Sequence, residues 1–410
     1  MIGWWRVVFA LVLAVLAGPA AAQKIVVMTP TTINAALAAV QPGDTIRLQG
    51  VFSSLVRIRD RDFGGVTIDA RAATITGSML LQRVHNLKIV GGTWQTGGTG
   101  TALRIEDSSH VSLSHAQLLG TDRLGTGMRV IRSSFMTVRD NRFEALRNGI
   151  IKQTVTDSLT TRNQWLNGGE DGMKLLDSQR VIVSHNSCTG FQPLPTYHPD
   201  CIQLWSLAGR PVQSDIHILN NIAIGPQQGL ASFDPAEFSG TRIHFVGNLV
   251  ASSAPHSITC LGCTDSLFAD NILISLPDAT WIAPLRAPAG SGNVFQNNSF
   301  SDLRGQFGAV LPAPAFALFL PDIAGTVGSR WDSRSFGELA AASGVPEPSA
   351  WALLLLGLGA AGLVQRRSAF QAALHHHQIE PTAELLAHLS QQADPLEAAG
   401  AMQADRGLIA

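Results

Sequence analysis

Between Gly169 and Trp205 the chain reads GEDGMKLLDSQRVIVSHN, then SCTGFQPLPTYHPD, then CIQLW. The fragments EDGMKL and HPDCIQL share one form: an acid, a small residue, an apolar residue, a long polar residue and Leu. They read as one structural position visited twice. Extending the apolar position in both directions gives Leu81, Leu103, Met128, Ile150, Met173, Ile202, Leu230, Ile258 and Ile282, in steps of 22, 25, 22, 23, 29, 28, 28 and 24 residues. A second column runs Asn141, Asn163, Asn186, Asn221, Asn248, Asn271 and Asn298. An apolar residue stands three places before each of these Asn, except at Thr160, and Phe143, Trp165, Cys188, Ala223, Val250, Leu273 and Phe300 stand two places after them.

A period of 20–30 residues built from short apolar stretches is the mark of a solenoid. Apolar and polar residues alternate, which is the strand period, and each repeat is too short for two packed helices. Stacked coils place like residues over one another about 4.8 Å apart. Asn suits such a ladder because its amide bonds to the next Asn and it tolerates the left-handed corner. The expected fold is all-β: a right-handed parallel β-helix of about ten coils with an N-terminal cap helix.

With its Asn column, its coil length and the opening INAALAAVQPGDTIRLQG (33–50), the chain resembles the pectate-lyase-like β-helix superfamily over roughly residues 24–304. That superfamily holds polysaccharide lyases, polygalacturonase-type hydrolases, epimerases, tailspikes and adhesins, so the resemblance implies the fold and narrows the function.

Composition narrows the class. Lys and Arg number 29 against 30 Asp and Glu, and aromatics are 6%. This balance lacks the basic footprint of a nucleic-acid binder. Residues 1–22 have the form of a secretory signal: Arg6, an apolar run from Val7 to Leu16, and Ala20-Ala21-Ala22 before the mature start at Gln23. The β-helix is expected over 23–304, its first coil covered by the helix that Thr31-Thr32-Ile33-Asn34 opens and Pro42-Gly43 stops, because a bare first coil exposes a strand edge. Residues 305–344 lose the period and read as a C-terminal cap and linker.

The segment 345–368 then gives Val345-Pro346-Glu347-Pro348-Ser349, an apolar run from Ala350 to Val364, and Arg366-Arg367. This order resembles the PEP-CTERM sorting signal. The resemblance implies an exosortase-type processing enzyme as partner, a membrane contact through 350–364, and a place in the cell envelope, at the cell surface or in the extracellular matrix. The arginines favour the cytoplasmic side. Fifteen residues reach only ~22 Å as helix, short of a ~30 Å hydrocarbon core. Residues 369–410 are a polar tail, helical or disordered in character, to which no role is assigned.

Export permits disulfides. Cys188, in the apolar column after the Asn ladder, reads as a buried core thiol. Cys260 and Cys263 form a CxxC without a second ligand pair for zinc, leaving a turn disulfide or two thiols.

Coil length locates a site. The coils from Met173 to Ile258 are the long ones, and their extra residues fall in Gln192–His198, Leu207–Ser214 and Phe233–Gly240. Loops of this kind on a rigid scaffold wall a groove. The position after the anchors reads Arg104, Arg129, Ile151, Lys174, Gln203, Ala231 and faces outward, opposite the buried anchors. The position two before reads Thr126, Asn148, Asp171, Asp200, Gln228, His256. Asp171 and Asp200 are thus neighbours in one column, where two carboxylates either raise one pKa or share a cation. Either outcome is useful chemistry. The candidate catalytic residues are Asp171, Lys174, His198 and Asp200. Arg129, Gln203, Trp205 and Tyr197 are candidates for holding substrate.

Asp171-Gly172-Met173 and Asp200-Cys201-Ile202 also resemble successive acidic positions of polygalacturonase-type hydrolases, although Gln228 stands where that family carries a His and Pro199 replaces one acid. The pectate-lyase resemblance implies calcium on Asp171 and Asp200, with Lys174 or Arg129 as base. The expected function is action on an extracellular or acidic polysaccharide, as lyase or hydrolase. The alternative is a non-catalytic adhesin or biofilm-matrix binder.

Overall fold

The structure, a computed structural model, describes residues 25–302 apart from 32, 196, 235–238 and 283–284. Among them, strands form one continuous parallel sheet wound into a β-helix. The signal segment, the linker, the sorting segment and the polar tail lie outside the described residues.

Each typical coil carries three strands, so the body has three faces. The site face stacks Thr101–Glu106, Thr126–Ile131, Asn148–Gln153, Met173–Leu176, Asp200–Trp205, Gln228–Ser232 and Ile258–Cys260. The second face includes Thr156–Thr161, Gln179–Ser184 and Ser214–Leu219; the third includes Gln164–Leu166, Ser187–Thr189 and Ile222–Gly225. The helix Ile33–Ala39 caps the first coils. Leu37 in the helix and Val40 just beyond it are buried, and the Arg61 guanidinium donates to the carbonyl oxygens of both.

Seven of the nine anchors stack as the period predicts, from Leu103 through Met128, Ile150, Met173, Ile202 and Leu230 to Ile258. The two outermost are corrected. Leu103 lies over Met79, and Leu81 lies under Ile105. A two-residue slip keeps the same residues inward, so alternation alone cannot detect it. At the other end Leu285, not Ile282, lies over Ile258; Ile282 is 46% exposed in the loop before that strand.

The Asn ladder is continuous. From Asn141 to Asn271, each side-chain Nδ2 donates to the Oδ1 of the Asn one coil later at 2.8–3.1 Å. The backbone N–H of each donates to the same oxygen. Such buried amides are costly to leave unpaired, which fixes Asn at this corner. The left-handed residue, however, is the one before each ladder Asn: Asp140, Arg162, His185, Asn220, Gly247, Asp270 and Asn297 have φ between 48° and 66°. The ladder therefore selects Asn for its amide and not for its backbone freedom.

Thr160, the exception in the apolar column, has a partner. Lys152 faces inward between Val130 and Leu175 and is fully buried, with its Nζ 2.6 Å from Ser158 Oγ and 2.7 Å from Thr160 Oγ1. Burial lowers its pKa to about 7.

Candidate functional site

The expected outward column is present: Arg104, Arg129, Ile151, Lys174, Gln203 and Ala231 stack in register on the site face. The loops also rise where coil length places them. Gln192 and Leu194 donate backbone bonds to Gly168 O and Gly169 O in the coil below. On the other edge, Asp177 Oδ1 accepts from Leu207 N at 2.7 Å and Asp234 Oδ2 from Ser206 N at 2.6 Å. Beneath these walls the outward side chains of Lys174, Gln203 and Trp205 are buried, each less than a tenth exposed.

Asp171 and Asp200 are brought together on successive coils, but neither is open to solvent: Asp171 is 2% exposed and Asp200 0%. Asp171 Oδ1 accepts the backbone N–H of Asp200 at 2.7 Å, so one carboxylate shapes the turn that presents the other. Asp171 Oδ2 lies 3.3 Å from Lys174 Nζ. The same ammonium lies 2.6 Å from Glu170 Oε1, whose other oxygen takes Arg147 Nε at 2.5 Å and Asn148 Nδ2 at 3.1 Å. Burial pushes the Glu170 pKa up, but Lys174 and Arg147 outweigh it and hold the carboxyl below its ordinary value. Glu170 and Arg147, absent from the expected set, thus belong to the centre. Glu170 directly precedes Asp171, and the acid pair Glu170-Asp171 was the available signal.

His198 turns to the opposite wall. Its ring meets Phe233 edge-on at 6.2 Å, and Phe233 meets His256 at 5.0 Å. The two walls therefore touch through Phe233, and burial, with Arg286 and His198 nearby, lowers the His256 pKa to about 4. Tyr197 is half-buried and its ring lies 4.6 Å from the Arg147 guanidinium. Trp205, a candidate for holding substrate, lies over Leu176 and is buried.

Cys188 is not a free thiol. It is bonded to Cys201, with Cα atoms 5.6 Å apart. Cys201 occupies the column of Gly127, Gly149 and Gly172, where a Cβ at Gly149 or Gly172 would press on Trp165. Cys188 replaces that indole in the next coil, and the vacated space takes the disulfide. The bridge ties the Gln192–His198 wall to the Asp200 strand. Cys260 and Cys263 are also bonded, which resolves the CxxC as a turn disulfide.

Residues 344–368 carry the PEP-CTERM protein-sorting motif. It marks an exported, envelope-associated protein and implies exosortase processing. The apolar run 350–364 lies outside the described residues, among which no helix is long and apolar enough to cross a membrane. Residues 31–192 match the family described as periplasmic copper-binding protein (NosD). No curated protein matches the chain. Among solved structures, the Dettilon tailspike protein is 12% identical over 67% of this chain and 68% of that one, with a TM-score of 0.42. PfbA, a surface adhesin of Streptococcus pneumoniae, is 11% identical over 66% and 86%, at 0.40. The polygalacturonase from Erwinia carotovora ssp. carotovora is 9% identical over 70% and 96%, at 0.41. Likenesses this remote carry no argument about function.

Proposed function

We propose that this exported β-helix protein holds an extracellular polysaccharide against its site face, on the walled coils that carry Asp171 and Asp200. The observation that carries the reading is the meeting of the two walls through His198, Phe233 and His256 over one stretch of sheet. Loops that converge over a rigid face are where a long ligand gains contacts on both sides. The full burial of Asp200, and the engagement of Asp171 with a backbone N–H, favour retention over turnover.

A catalytic reading has its own observation, the Lys174 ammonium 3.3 Å from Asp171 with Asp200 on the next rung. As a lyase, the Lys174 amine would take the proton beside a uronate carboxylate, and Asp171 and Asp200 would hold the calcium that neutralises that carboxylate. Calcium takes six or more oxygens, of which these two carboxylates would supply only part. As a hydrolase, the two carboxylates divide acid and base roles. Copper, which the NosD description names, finds no fitting donor set among the described residues. No three His, Cys, Asp or Glu side chains are grouped among the described residues, and all four cysteines are in disulfides.

The test is binding and turnover by the exported protein on a panel of neutral and acidic polysaccharides. Retention without new chain ends is expected, and Asp200→Asn should leave retention within about twofold. New unsaturated ends abolished by Asp200→Asn and by chelation would establish the lyase; reducing ends insensitive to chelation would establish the hydrolase. Absence of both retention and turnover on every polymer would sink the proposal.

A further inference from the structure

Many of the described arginines of this protein are paired with an acid. At its corners and edges they pair with an acid, in most cases one rung away: Arg83 with Asp60, Arg132 with Asp107, Arg162 with Asp140, Arg180 with Asp157, Arg242 with Asp215. The N-terminal part of the site face, before the walls begin, gathers arginines that mostly lack such a partner. One outward column there runs Arg57, Leu80, Arg104, Arg129, Ile151. The adjacent outward column runs Arg59, Gln82, Glu106, Ile131.

Four guanidinium groups thus share a strip with a single carboxylate, Glu106, which is taken by Arg104 and by Gln82 Nε2 at 3.4 Å. Arg57 and Arg59 are exposed and have no ion pair among the described residues. Arg129 is half-buried, with its Nε sealed from solvent and lacking a hydrogen-bond partner. Burying part of a cation beside another cation is unfavourable unless something anionic arrives. Arginine is also the side chain suited to carboxylates, through its planar fork of donors.

We propose that this strip is a binding site for an acidic polysaccharide with carboxylates repeated along an extended chain. The inference rests on the reading of the protein as a polysaccharide holder and names the chemical class it takes. Guanidinium groups spaced by one or two rungs, ~5–10 Å, suit a polymer of regularly placed charges laid along the β-helix axis, not one compact anion. The partly apolar floor of Leu80 and Ile151 gives a sugar ring something to lie on between the charges, which a nucleic-acid backbone, reading phosphate alone, does not use. The sites are separable, since none of these four arginines is bonded to Glu170, Asp171 or Asp200 in any described contact.

The experiment measures binding of the intact exported protein to a polyuronate, a neutral glucan and duplex DNA, at low and moderate salt. Wild type should bind the polyuronate in preference to the other two, and binding should weaken with salt. The pair Arg57→Gln with Arg129→Gln should lower polyuronate affinity at least tenfold while leaving the melting temperature in place, since neither residue holds a structural partner. Polyuronate binding unchanged in that variant would overturn the strip while leaving the walled groove standing. DNA bound as tightly as the polyuronate would overturn the assignment of ligand class. No binding of any polysaccharide by wild type would remove the strip and the proposed function together.

Discussion

The site face has two halves built on one column of residues. In the N-terminal half Arg104 is exposed and Arg129 half-buried on sheet without walls; in the central half Lys174 and Gln203 occupy the same column, buried under loops. Where walls rise, the cations are neutralised: Lys174 by Glu170 and Asp171, Arg147 by Glu170. Where walls are absent, Arg104 pairs with Glu106, while Arg57, Arg59 and Arg129 have no ion pair among the described residues. Enclosure and charge surplus therefore trade against each other along one sheet, because a buried ion must be paired whereas an exposed one need not be.

The sharpest way to break this comparison is to remove a charge from each half. Asp171→Ala takes an acceptor from Asp200 N–H and a counter-ion from Lys174, both buried, and should cost about 3–5 kcal/mol of stability. Arg129→Gln, lacking a partner, should cost under about 0.5 kcal/mol. Equal losses in denaturant titrations of the two variants would contradict the division. Next in size is the bridge under the central wall. Replacing Cys188 and Cys201 together by Ser should cost about 2–4 kcal/mol, since the disulfide closes a loop 13 residues apart in sequence. The N-terminal strip should keep its affinity for acidic polymer in that variant, as read by the same binding assay.

The last test is acid. Burial lowers the pKa of His185 and His256 to about 4 and of His217 to about 3. Between those values and about 6.5 the unfolded chain binds protons that the folded chain refuses. Stability therefore rises with pH through this window, and falls as pH drops from about 6.5 toward 4. All three histidines lie on coils from 185 onward. Hydrogen exchange at pH 5 should accelerate there before it does on the arginine coils, and uniform acceleration would count against the comparison.

Much of this was legible in the sequence. Asn repeats because a buried amide needs its neighbour, and coil length shows where loops rise, so the ladder and the walls could both be read. The left-handed residue beside each Asn could not, because Asp, Arg, His, Asn and Gly all fill that place. Asp171 and Asp200 were found from the repeated fragment, but not their burial, which depends on loops folding over them. The Cys188–Cys201 pair was readable in principle: Cys201 aligns with Gly172, and Cys188 with Trp165. Reading each column separately hid it. The arginine strip escaped because extra chain length points to the middle coils, whereas the strip consists of side chains on coils of ordinary length.

The direction of the Asn ladder has a consequence for how the chain is made. The oxygen that satisfies Asn141 belongs to Asn163, the one for Asn163 to Asn186, and so on to Asn298. A polypeptide delivered from its amino end therefore always carries one unfinished rung, whose acceptor is still to come. Each coil is provisional until the following one emerges, and each arrival locks the last. The growing body remains a template for its own continuation, and it is completed by its final asparagine.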